Sequence, residues 1–235
     1  MIASDRLLRY LCWALVVLVV ASAILTLGLA LDLFAKPPDL PSSVDFVDRL
    51  LAVRAYDTQV YPVALAAGLA GVGVFLGAAL LGAVVRPLAP RGPARDLMTT
   101  LFVVGGVIGV VAQLLNIAIA KSGTYDYCDC GYKAQEVISL GYAIGVAVTG
   151  QTWLAIAALT IVGLGAAVGG WLINLSPAFR WLAYLIAGLL VVSAVLLFFD
   201  YGQWSNTVSG LVAGIAVPIW LVLLARGSRK VASEA

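Results

Sequence analysis

Histidine is absent from all 235 residues, and charge is scarce: 14 lysines or arginines and 12 acids, 11% of the chain. Each shortage excludes something. Without histidine there is no bis-histidine haem b, no imidazole metal ligand and no histidine proton relay. A soluble domain carries about 25% charged residues, so this composition excludes one. It also excludes a disordered chain and a basic nucleic-acid binder. No Asp, Glu, Lys or Arg stands at the centre of an apolar run. Ion-coupled transporters and proton pumps usually place such groups at mid-membrane. No Walker motif, G-x-S-x-G elbow or H-E-x-x-H pair occurs.

What remains is apolar: 63% hydrophobic residues and a mean hydropathy of +1.05. The pattern predicts an all-α polytopic membrane bundle, forming a single membrane domain over residues 1–235. A helix needs about 20 mostly apolar residues to cross the hydrocarbon. Six runs fit: 11–30, 61–85, 101–120, 153–173, 179–199 and 208–224. Residues 137–175 are apolar throughout, too long for one span and marginal for two. Residues 135–150 therefore read as a shallow helix leading into the fourth span, with a seventh span as the alternative.

Lysine and arginine near span ends resist translocation, so they set orientation. With both termini inside, the inner segments hold nine basic and three acidic residues, a net +6. The outer segments hold five basic and nine acidic residues, a net −4. Arginine outnumbers lysine ten to four, in a chain rich in Ala, Val, Leu and Gly. Together these predict a bacterial cytoplasmic membrane with both termini cytoplasmic.

The first outer loop opens on Pro37, Pro38 and Pro41, which stop a helix. Ser42 or Ser43 can cap a short helix from Val44 to about Ala55. Its interleaved apolar and charged residues suit the membrane interface. It reads as a lid on the bundle or as a docking surface for a partner. Small residues recur four apart at Gly73 and Gly77, Gly105 and Gly109, Gly141 and Gly145, Gly165 and Gly169, and Gly210 and Gly214. They predict close helix approach within the bundle or homo-oligomerisation through one face. Pro218 should kink the sixth span, with Ser, Thr or water meeting the freed carbonyl.

Two groups carry candidate chemistry. Cys128 and Cys130 lie in the loop Tyr125-Asp126-Tyr127-Cys128-Asp129-Cys130-Gly131-Tyr132. They read as a structural disulfide or ordinary loop cysteines, a strained redox pair, a partial soft-metal site beside Asp126 and Asp129, or an intermolecular bond. A closed zinc site usually takes four ligands, and no metal is expected. Gln113 and Asn116 share one face of the third span, at hydrocarbon depth. They read as interhelical hydrogen bonding or as the floor of an outward-facing polar pocket, rimmed by Gln151, Thr152, Asp200 and Asn206.

The segments Gly169-Gly170-Trp171-Leu172 and Ser176-Pro177-Ala178-Phe179-Arg180-Trp181-Leu182 join the fourth and fifth spans. With the six-span layout, they make the chain resemble small bacterial membrane proteins of the domain of unknown function 4386 type. The resemblance covers roughly residues 10 to 225 and implies topology alone. The leading expectation is an accessory or scaffold protein without catalysis of its own, contacting lipids and a partner membrane protein. The alternatives are an outward-facing binder or transporter of a small neutral or lipid-like molecule, and a thiol-redox protein. Bound lipids are expected, and no cofactor.

Overall fold

The computed structural model describes residues 2–36, 38, 46–122 and 134–233; Cys128, Cys130 and the proposed caps Ser42 and Ser43 lie outside them. Helices are α1 (Ile2–Ala30), α2 (Phe46–Val85), α3 (Pro93–Ser122), α4 (Ala134–Leu172), α5 (Pro177–Phe198), α6 (Gly202–Leu211) and α7 (Val217–Ser233). Among the described residues there is no strand. Helices suit a bilayer, since each satisfies its backbone groups within its own segment. Six helical segments are long and apolar enough to cross a membrane, with α6 and α7 together forming the sixth. The chain is a multi-pass membrane protein.

Two expectations change. Among the described residues between α1 and the second span there is no separate interfacial helix. The helical part of the first outer loop is the beginning of α2, which runs unbroken through Pro62. A proline removes one intrahelical bond and leaves the rest of a 40-residue helix intact. Likewise residues 135–150 are not a separate helix but the first part of α4, and there is no seventh span among the described residues. Pro218 is accommodated by a π turn over Val212–Ala216, in which the Val217 N–H reaches back to the Val212 carbonyl. The π turn widens the helix just ahead of the proline.

Consecutive spans pack as antiparallel neighbours, and the last packs on the first, giving a closed ring. Glycines set the spacing. A methyl group added at Gly106 would lie 2.7 Å from the Phe75 carbonyl oxygen, and one at Gly105 would lie 3.0 Å from the Ala158 carbonyl oxygen. Back-to-back glycines thus let α3 touch the backbones of α2 and α4 together. Gly73 and Gly77 receive Leu18 and Leu15 of α1, and Gly165 and Gly169 receive Phe102 and Met98 of α3. These pairs serve packing within the bundle, whereas Gly145, Gly188 and Gly210 face open space.

The main core gathers at one end of the bundle, among Leu8, Cys12, Val85, Met98, Phe179 and Leu224. Phe179 stacks on Trp220 with ring centroids 5.2 Å apart. This end also carries most of the arginines, and Arg86 bonds Asp96 at 2.8 Å across the loop between α2 and α3. Toward the opposite end a different device joins α5 to α6. Ser193 Oγ donates to the Ser205 carbonyl at 2.9 Å and Ser205 Oγ to the Ser193 carbonyl at 2.7 Å. Both side chains are fully buried.

Candidate functional site

The register of the bundle shows where it opens. Along the α2–α3 seam, Phe102 meets Gly82, Phe75 meets Gly109, Gln113 meets Gly71 and Ile117 meets Gly68. Continuing that ladder places the end of α3 level with about residue 62. Residues 46–61 of α2 therefore project past α3 by about 24 Å at 1.5 Å per residue. The α3–α4 ladder pairs Met98 with Gly169 and Gly105 with Val162. Residues 134–144 of α4 project likewise, by about 16 Å. Both arms lie at the end opposite the arginine-rich one.

A half-open cleft of about 300 Å³ lies at the base of the arms. Asp57, Val60, Tyr61 and Ala64 of α2, Ile119 and Ala120 of α3, and Ile144 of α4 line it. The Lys121 ammonium sits 5.2 Å from the centre of the Tyr61 ring, a cation–π contact at the cleft edge. Beside it Tyr56 donates to Asp32 Oδ1 at 2.8 Å, which ties the arm of α2 to the end of α1. The cleft combines apolar walls with one carboxylate and one phenol. No group of three or more Cys, Asp or Glu side chains gathers among the described residues to hold a metal.

None of the six polar residues expected to form a pocket lines this cleft. Gln113 is half-buried over Gly71, where an added methyl would come within 2.7 Å of its amide carbon. Its neighbour Asn116 is half-buried one turn further along α3, and Gln151 is half-buried on α4. Thr152 bonds its own helix, donating to the Val148 carbonyl at 3.0 Å. Asn206 is exposed, and its backbone carbonyl accepts from Ser209 Oγ at 3.2 Å. The sequence marked Tyr61 only as the start of a span and Lys121 only as a boundary. Asp57 and Tyr61, four residues apart in the helix now known as α2, are the signal that could have found the cleft.

Asp200 has a structural task. It takes φ +63° at the end of α5, as Asp32 takes φ +53° at the end of α1. At each, paired backbone bonds close the helix: Tyr201 N–H to Leu196 O with Asp200 N–H to Leu197 O, and Leu33 N–H to Gly28 O with Asp32 N–H to Leu29 O. This is a left-handed helix stop, where glycine is the usual residue. A carboxylate there opposes the helix dipole as well. Asp200→Gly should therefore stabilise the bundle by about 0.5–1 kcal/mol. Thermal unfolding in detergent checks this; a loss of stability would show that the Asp200 side chain itself holds the turn.

No family model, curated protein or solved structure matches this chain.

Proposed function

We propose that this protein is a non-catalytic scaffold or accessory subunit of a bacterial cytoplasmic membrane. In this reading both termini are cytoplasmic, and the arms of α2 and α4 meet a partner membrane protein on the outer face. The observation that carries it is the length of α2 and α4, 40 and 39 residues where α3 has 30. About 20 residues suffice to cross the hydrocarbon, so the excess in α2 and α4 serves contact outside it. The charge sorting along the sequence supports the orientation. The likeness to the 4386 family belongs to the same proposal and adds no activity. A photo-crosslinking residue at Val53, 42% exposed on the arm of α2, should trap that partner in intact membranes.

The cleft favours a second reading, binding of a small lipid-like molecule against Tyr61 and Ile144. Its apolar walls suit such a ligand better than the half-buried amides of Gln113 and Asn116 do. A thiol-redox role would rest on Cys128 and Cys130 alone.

A further inference from the structure

We propose that the cleft at the base of the arms holds one lipid whose headgroup pairs a primary ammonium with a phosphate, as in phosphatidylethanolamine. This rests on the lipid-binding reading of that cleft and names its ligand. The first observation is an uncompensated charge. Asp57 supplies the one carboxylate among the described residues that line the cleft, and it is half-buried. It forms no hydrogen bond or ion pair among the described residues. A carboxylate held against apolar walls without a partner is costly. A cation that donates hydrogen bonds to it relieves that cost.

The order of the lining groups gives the ligand its shape. Asp57, Tyr61 and Ala64 stand four and then three residues apart, on one face of α2. They pass from carboxylate through phenol to methyl as α2 enters its apolar run. On α3, Lys121 sits at the cleft edge and Ala120 and Ile119 lie just inside it. Both helices therefore place charge at the mouth of the cleft and apolar groups deeper. A tyrosine at the end of an apolar run marks headgroup depth. A lipid at that depth has the same order, headgroup outward and acyl chain inward. A soluble cation would leave the apolar depth unfilled.

Charge selects the headgroup. Tyr61 is the one aromatic ring lining the cleft among the described residues, and the Lys121 ammonium already sits 5.2 Å from its centre. A quaternary ammonium is recognised by aromatic faces and has no N–H to give, so choline is ill matched to Asp57. An anionic headgroup without an ammonium would meet Asp57 as a like charge. A primary ammonium brings three donors to the carboxylate. The phosphate beside it carries the charge opposite to that of Lys121.

Native mass spectrometry of the full chain tests this. The chain is released from mild detergent with equimolar phosphatidylethanolamine, phosphatidylcholine and phosphatidylglycerol of matched acyl chains. Phosphatidylethanolamine should remain bound in preference to both others. Asp57→Asn, nearly unchanged in shape, should lower its retention roughly tenfold, as expected for one lost charge-assisted bond. Asp32→Asn, outside the cleft lining, should bind as the unmodified chain does. Equal retention of phosphatidylcholine would overturn the proposal, as would Asp57→Asn matching the unmodified chain. An equal loss in Asp32→Asn would show a diffuse acidic field and no site. Displacement of the lipid by soluble phosphoethanolamine would assign the cleft to a free amine instead. Ile144→Trp, which fills the cleft, separates this proposal from the reading beneath it. If that variant sheds lipids that showed no headgroup preference, the cleft binds lipid and only the headgroup assignment fails. If it keeps all three lipids, lipid binding in the cleft fails as well. The partner role of the arms stands apart from both.

Discussion

Gly106→Leu should unfold the bundle, while the same substitution at Gly188 should leave it folded. The two positions differ in what lies opposite. At Gly106 even a methyl group would stand 2.7 Å from a backbone oxygen of α2 and 2.8 Å from the Ala79 methyl. Neither can move aside without moving the helix. At Gly188 an added methyl meets nothing within 4 Å. Overpacking a tight core costs about 1–3 kcal/mol, and an immovable backbone neighbour puts Gly106→Leu at the upper end or beyond. The cost propagates, because Gly105 beside it holds α4. Separating α3 from α2 would also disturb the seam on its other face. Thermal denaturation in one detergent, with the unmodified chain and both variants side by side, reads the difference. Equal losses at the two positions would mean that α2 and α3 do not meet here.

The second large effect lies in the serine clasp. Ser193→Ala and Ser205→Ala each remove one donated bond and the 3.0 Å contact between the hydroxyls. Each single change should cost about 1 kcal/mol. The double variant should cost less than the sum, since either change already breaks the shared hydroxyl contact. Strict additivity in a double-mutant cycle would show that the two serines act separately. This clasp also explains how α6, with its polar run Gln203 to Asn206, stays joined to α5. The pair brings its own partners, so no amide or water is needed.

Much of this architecture was legible in the sequence, for a simple reason. Hydrocarbon thickness is a fixed ruler, and six apolar runs between charged or proline-bearing segments meet it. The ruler measures depth in lipid, not helix length. It therefore missed that the 15 residues of α2 before Tyr61, read as a short interfacial helix to about Ala55, run on into the second span. At Pro62 one missing bond does not end a helix of this length. Asp200 misled in another way. A polar residue at a span end reads as a pocket rim, and its left-handed backbone has no signature when glycine is not used. The serine clasp was hidden because the two residues sit on different helices, where no periodicity links them. Gln113 and Asn116 were rightly placed on one helix, but half-burial against Gly71 could only come from the register of two helices. The loop with Cys128 and Cys130 remains a feature of the sequence alone.

The partner role can be tested most directly by photo-crosslinking in intact membranes, comparing Val53 on the arm of α2 with Leu76 deep in the same helix. Both are exposed, at 42% and 51%. Leu76 lies well inside the apolar span and should meet lipid. The account predicts one discrete adduct from position 53, heavier than the 24.5 kDa chain by the mass of a second polypeptide, and none from position 76. No adduct from position 53, or the same smear from both positions, would contradict it.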